Sequence, residues 1–247
     1  MGYTIAIAGK GGIGKSTIAS LIIRMLKEKK LGSVLGVDAD PNSNLGEFLG
    51  IKPGRSIGEV LDEISAHKDK IPAGMTKDRY IEYEVQTVIE EGEGVDILAM
   101  GRPEGPGCYC YVNNILRNIV GKLIKDYDFV VIDNEAGLEH LSRKTTSSAD
   151  VLLVVSDPSP AGLRAAKRIS DLTLELKIKT KKRFLLINRS AKELDKDKLE
   201  GIQLDYLGMI PEDAGIGKLS VAGEPLWELA KGSPAYAALN KLMEKIL

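Results

Sequence analysis

Cysteine is nearly absent: the 247-residue chain has two, Cys108 and Cys110. A single residue between them places them poorly for an ordinary disulfide. That excludes a disulfide-stapled scaffold, and in a reducing compartment such a pair more often signals metal or redox chemistry. Aromatic residues make up only 5%, too few for base-stacking platforms. Neither sign of charge dominates. The 34 Lys and Arg against 35 Asp and Glu leave a formal charge of -1, which supports neither a nucleic-acid footprint nor a polybasic membrane patch. No apolar run reaches the roughly 18–20 residues needed to span a bilayer. The N-terminus enters a strand pattern directly, without the charged and apolar regions of a leader. A cytoplasmic protein with no nucleic-acid and no membrane partner is the expectation.

What is present is an alternation of strands and helices. Strands are read over Tyr3–Ala8, Ser33–Val37, Val95–Met100, Phe129–Ile132, Val151–Val155, Arg183–Asn188 and Tyr206–Ile210. Helices are read over Lys15–Lys29, Ile57–Ala66, Val112–Lys125, Leu138–Ser148, Pro160–Leu176 and Pro234–Ile246. The polar stretch Lys68–Glu93 resists assignment. Runs such as Phe129-Val130-Val131-Ile132 do not alternate polar with apolar, which marks strands covered on both faces. The alternation predicts an α/β fold, doubly wound around a mostly parallel sheet. Length, with no repeat and no low-complexity linker, predicts a single domain over residues 1–247.

The first strand runs into Gly9-Lys10-Gly11-Gly12-Ile13-Gly14-Lys15-Ser16-Thr17. This is G-x-x-x-x-G-K-[ST] between a predicted strand and a predicted helix, the context that gives the motif its meaning. Glycines let backbone N–H groups turn toward phosphate oxygens, and the helix N-terminus adds partial positive charge. Lys15 is assigned to the β- and γ-phosphates and the Ser16 hydroxyl to Mg²⁺. ATP binding and hydrolysis to ADP and phosphate follow as the expected chemistry. Two strands end in carboxylates: Asp38, followed by Ala39-Asp40-Pro41-Asn42-Ser43-Asn44, and Asp133 after Phe129–Ile132. A carboxylate at the end of an apolar strand beside such a loop holds Mg²⁺ directly or through water. The blander reading of Asp38 and Asp40 is that they cap a turn.

The early lysine makes the loop informative. G-K-G-G-x-G-K-S-T resembles the deviant phosphate loop of the MinD/ParA/nitrogenase-iron-protein class, P-loop NTPases of the SIMIBI type. That resemblance implies that Lys10 reaches across a homodimer interface to the partner's ATP. It also implies that Asp40 orients the attacking water and Asp38 lies in the metal's outer shell. Asn188-Arg189 and Ile210-Pro211-Glu212-Asp213 resemble the two elements that read adenine in this class. Most relatives continue with Thr-Pro after the second carboxylate; here the text is Asp133-Asn134-Glu135-Ala136-Gly137. Gly137 can still offer an N–H near the γ-phosphate.

Cys108-Tyr109-Cys110 supplies two thiolates per chain, whereas Zn²⁺ and similar thiophilic ions usually take four ligands. His67 and His140 lack ligand spacing relative to each other. The simplest complete site uses a Cys pair from each of two chains on a two-fold axis. Isolated thiols, a redox switch and a [4Fe–4S] cluster shared by two chains remain open. Gly107–Cys110 before a helix, Asp133–Leu141 with its Glu139-His140 pair, and Gly223–Trp227 together resemble CooC-type ATPases over nearly the full length. That family implies a metallochaperone. It would be a nucleotide- and metal-dependent homodimer that holds Ni²⁺, with Zn²⁺ able to use the same ligands. Its client would be apo carbon monoxide dehydrogenase or acetyl-CoA synthase. Trp227 reads as a packing residue. A MinD/ParA-like positioning ATPase and an iron–sulfur reductase or scaffold are the rival expectations.

Overall fold

Strands that are apolar on both sides need cover on both faces, and the two faces of this sheet are covered by different helices. The computed structural model describes residues 2–40, 44–52, 54–67, 71–101, 121–135 and 148–247. The chain order is β1 (Tyr3–Gly9), α1 (Lys15–Glu28), β2 (Val34–Asp38), α2 (Asn44–Phe48), α3 (Ile57–Ala66) and α4 (Lys77–Thr87). It continues with β3 (Ile89–Gly92), β4 (Val95–Ala99), β5 (Phe129–Asp133), β6 (Ser148–Ser156), α5 (Pro160–Glu175) and β7 (Lys179–Ile187). Last come β8 (Asp205–Met209), α6 (Ala214–Ala222) and α7 (Pro234–Met243).

The eight strands form one sheet in the order β3-β4-β2-β5-β1-β6-β7-β8. Every pairing is parallel except β3 with β4. Side chains alternate across β1: Ile5 and Ile7 pack into the layer with α1 and α7, while Ala6 and Ala8 face the layer that holds α3, α4 and α5. All four residues are fully buried. The doubly wound prediction holds, and so do most element positions, Ile57–Ala66 to the residue.

Three departures have physical causes. Lys68–Glu93 contains α4 and β3. Helix α4 buries only Ile81 and Val85, too thin a stripe to stand out, and β3 is an edge strand reading Ile-Glu-Glu-Gly. The helix read over Leu138–Ser148 ends in strand instead: Ser148 opens β6. Residues 138–147, like residues 112–120 of the Val112–Lys125 reading, lie outside the described residues. The polar start of β6 is stabilised by distant partners. Asp150 accepts a hydrogen bond from the Thr4 N–H at 2.8 Å and pairs with Lys181 at 2.6 Å. Helix α6 went unread because its sequence, Ala-Gly-Ile-Gly-Lys-Leu-Ser-Val-Ala, has no buried residue and two helix-weakening glycines.

The apolar side of α7 is core: Leu239, Leu242, Met243 and, just beyond it, Ile246 are buried. Among the described residues no helix is long and apolar enough to cross a membrane.

Candidate nucleotide site

Strand β1 lies between β5 and β6. From β1 the chain crosses to β2 on one side, and from β5 it crosses to β6 on the other. Open parallel sheets bind ligands at such a switch point, beyond the C-terminal ends of the strands. The loop Gly9–Gly14 leaves β1 there. Gly12 and Gly14 adopt φ of 73° and 93°, left-handed values that suit glycine. Gly14 is also the N-cap of α1 and brings no capping side chain, and the first turn of α1 carries no acid. The helix's first N–H groups are therefore left to an incoming anion.

The two lysines of the loop are placed differently. Lys15 is buried, its Nζ 3.4 Å from the Lys10 carbonyl oxygen. Lys10 is exposed, and among the described residues its side chain makes no ion pair.

Asp38 and Asp133 end neighbouring strands in register with each other. Both are buried to 1% exposure. Asp38 accepts hydrogen bonds from the Leu45 N–H at 2.8 Å and the Asp40 N–H at 3.1 Å. Burial nevertheless pushes its carboxyl up to about 6, helped by the charge of Asp40 and opposed by those two N–H groups. Asp133 is the more exceptional group: among the described residues neither of its oxygens has a hydrogen-bond partner at normal geometry. The Ser16 hydroxyl lies near enough to favour its charged form without making a well-formed bond. Burial pushes Asp133 up to about 7, with Asp38 and Asp40 adding to the rise and Ser16 and Lys15 opposing it. A buried carboxylate left without partners is costly unless something arrives to satisfy it. Hard oxygen donors beside a phosphate loop suit Mg²⁺, which takes one or two protein ligands and completes its shell with phosphate and water. Ser16 and Asp133 fit that ion, with Asp38 behind them.

Asn134 was not foreseen. Its Nδ2 donates to the Ile7 carbonyl at 2.8 Å, while its buried Oδ1 has no partner among the described residues. It follows Asp133 directly, but an Asn at a strand end carries no local signal of burial. Glu135 is described; Gly137, Glu139 and His140 lie outside the described residues. So do Cys108 and Cys110. Among the described residues no group of three or more His, Cys, Asp or Glu could hold a metal ion.

Across the loop from the carboxylates a cavity of about 220 Å³ opens. It is bounded by Gly14 and Thr17 of the loop region and by Asn188, Arg189, Ile210, Pro211 and Asp213. Sequence reading assigned all five of these last residues to the base. Three of their side chains also serve the protein, Arg189 by donating to the Gly12 carbonyl at 3.4 Å. Asn188 donates to the Ile13 carbonyl at 2.8 Å and presses against Gly14, where a Cβ would stand 2.6 Å from the amide nitrogen. Asp213 caps α6 by accepting from the Gly215 N–H at 2.8 Å. It also accepts from the Ser233 hydroxyl and the Ala235 N–H. Burial would raise Asp213, but these donors hold it below the usual carboxylate value. The Asp213 carboxylate is thus engaged within the protein, and the base would meet its backbone. Phe48, Ile216 and Leu226 complete the apolar wall. They come from three separate segments, so no motif announced them.

Comparison with known proteins agrees with this arrangement. Residues 4–226 match the CbiA family, the CobQ/CobB/MinD/ParA nucleotide-binding domain. The chain belongs to this family and is a P-loop ATPase of the MinD/ParA kind. It is 44% identical to an uncharacterized ATP-binding protein of Methanocaldococcus jannaschii, over 98% of both chains. It is 30% identical to the carbon monoxide dehydrogenase accessory protein CooC of Rhodospirillum rubrum, over 98% of this chain and 97% of that one. Its fold matches the septum site-determining protein MinD of Pyrococcus horikoshii, solved with Mg-ADP. The TM-score is 0.71 at 22% identity, covering 100% of this chain and 96% of the other.

Proposed function

We propose that the chain is an ATP-driven, dimeric metallochaperone that carries nickel to apo carbon monoxide dehydrogenase or apo acetyl-CoA synthase. The observation that carries this reading is the Cys108-Tyr109-Cys110 pair in a chain related over nearly its full length to a carbon monoxide dehydrogenase accessory protein. Two thiolates per chain do not complete a four-ligand site, and a two-fold dimer does. The lysines support the same assembly. Buried Lys15 is positioned for its own chain's phosphates. Exposed Lys10, at the lip of the loop, is free to serve the facing chain.

In this reading ATP lies along the loop, with its base in the cavity beside Asn188 and Arg189 and its phosphates at the N-terminus of α1. Ser16 and Asp133 would hold Mg²⁺, with Asp38 reaching it through water, and the ion supplies charge neutralisation on the phosphates. Asp40 orients the attacking water as a hydrogen-bond acceptor. Gly137 offers its N–H at the γ-phosphate. Closure of two chains brings the Cys pairs together around the cargo ion, and loss of the γ-phosphate loosens the pair and releases it. Zn²⁺ competes for the same thiolates, because affinity order alone does not select nickel. The buried apolar face of α7 offers nothing to a membrane surface, which disfavours a MinD-like positioning role for that helix.

The test is metal content and oligomeric state of the protein without nucleotide, with ADP and with a non-hydrolysable ATP analogue. One ion per two chains in the ATP-analogue state is expected, and none in a Cys108→Ser/Cys110→Ser double variant that still dimerises. Unchanged metal content in the double variant defeats the thiolate site. A brown protein with iron–sulfur absorbance replaces the nickel reading with the cluster one.

A further inference from the structure

The segment Gly223-Glu224-Pro225-Leu226-Trp227 has no role in the chemistry so far, yet it joins the base cavity to α2, the helix whose other end meets Asp38. On one side it is cavity wall: Glu224 and Leu226 line the base cavity, while Trp227 does not. On the other it is laid on α2. The Trp227 indole N–H donates to the Leu49 carbonyl at 2.6 Å. That carbonyl lies just past the last residue of α2, among those a helix end leaves without an internal partner. Beside it, Gly50 terminates the helix at φ 62°, and a Cβ there would stand 3.2 Å from Pro225. The turn and the helix end are therefore in direct contact at two points.

Helix α2 is only five residues long, far too short to be stable alone, so its position is set by Leu45 and Leu49 packed into the core beside α1 and by what holds its ends. Its N-terminal end is held by Asp38, which accepts the Leu45 N–H at 2.8 Å. Its C-terminal end is held by Trp227. Phe48 reaches from the same helix into the cavity wall. The turn has a firm base of its own. Arg24 of α1, 2% exposed, donates from Nη1 to the Leu226 and Leu229 carbonyls at 2.7 Å each. Lys27 lies 4.7 Å above the Trp227 ring.

We propose that Trp227 is a positioning residue that transmits occupancy of the base cavity through α2 to the carboxylates of the hydrolytic site. A base filling the cavity presses Phe48 and Leu226, whose elements meet at the Trp227–Leu49 bond. The far end of α2 carries the N–H that orients Asp38, two residues before Asp40. The inference rests on the base occupying this cavity. It adds a specificity consequence: a nucleoside triphosphate sets the carboxylates for hydrolysis, and inorganic tripolyphosphate binds the loop without doing so.

The chain has one tryptophan beside eight tyrosines, so indole emission, excited at wavelengths where tyrosine does not absorb, reports this junction alone. The experiment pairs wild-type fluorescence titrations with ADP and with tripolyphosphate, both with Mg²⁺, with the kinetics of Trp227→Phe. That variant keeps an aromatic side chain, though a smaller one, and loses the donor. ADP is expected to shift the emission and tripolyphosphate to leave it unchanged at saturation. Trp227→Phe is expected to lower kcat for ATP about tenfold, with ADP affinity and KM within about twofold of wild type. Equal fluorescence responses to both ligands, or an unchanged kcat in the folded variant, overturn the inference. So does a parallel loss of affinity, kcat and melting temperature, which marks simple packing. The base-cavity reading fails separately: it requires ADP to bind more tightly to the wild-type protein than pyrophosphate, which carries the same two phosphates, and equal affinities defeat it together with the inference.

Discussion

On the phosphate side of the site, buried polar groups have been left waiting. Among the described residues both oxygens of Asp133 and the Oδ1 of Asn134 lack well-formed hydrogen bonds, and burial raises Asp38 to about 6 and Asp133 to about 7. On the base side the reverse holds. Asn188 is bonded to Ile13, and Asp213 is bonded to Gly215, Ser233 and Ala235 and is held below the usual carboxylate value. The difference separates two kinds of recognition. The phosphate side recognises charge and metal, and its groups become satisfied only with the ligand bound. The base side recognises shape, through a wall in which Asn188 and Asp213 are already paired within the protein.

The largest effect is expected at the phosphate side. Lys15→Ala should lower the ATPase rate by about 1000-fold, the scale for removing a group that stabilises developing charge, as measured by phosphate release at saturating Mg-ATP. Its melting temperature should change little, because its one described bond is long, 3.4 Å. A variant that keeps its rate would erase the contrast between the two sides.

Asp133→Asn should lower the rate about 100-fold while stabilising the nucleotide-free protein at pH 8. The native carboxyl keeps its proton until about pH 7, whereas the unfolded one releases it near pH 4. Between those values the native state binds more protons, so stability falls as pH rises, by up to about 1.4 kcal/mol per unit for this group. Above pH 7 the loss is complete. Thermal melts from pH 4 to 9 should show that slope in the wild type and a shallower one in the variant, where Asp38 still contributes. Identical slopes would mean that Asp133 is solvated or paired after all.

The smallest effect belongs to the base side. Asn188→Ala removes the brace on the Ile13 carbonyl and should weaken ADP binding about tenfold, the equivalent of about one buried hydrogen bond. Calorimetric titration with ADP and with pyrophosphate sharpens the comparison. A loss confined to ADP means that the amide serves the base. Equal losses mean that it serves the loop.

Much of the phosphate side was legible beforehand because it is local. A strand, a Gly-rich turn and a helix follow one another within Tyr3–Glu28. The carboxylates stand at the ends of apolar strands where spacing alone places them. The base side was legible only by resemblance, through Asn188-Arg189 and Ile210–Asp213. Its apolar wall was not legible at all. Phe48, Ile216 and Leu226 belong to segments with weak or no periodicity: a five-residue helix, a helix without a buried residue, and a single turn. Trp227 was legible as packing, but its donor role was not.

The sequence by itself determined that the chain has a phosphate loop feeding an α/β sheet and that two carboxylates flank it, since both follow from local pattern and strand period. Tertiary structure alone decided which of those groups is satisfied. Asp38 meets Leu45, and Asp133 meets no well-formed hydrogen bond among the described residues, because of how neighbouring strands and α2 come together, which no single segment encodes. It also decided that a tryptophan 178 positions away from Leu49 closes the end of α2. A contact between segments so distant is set by packing of the whole sheet, and leaves no period or motif in the chain.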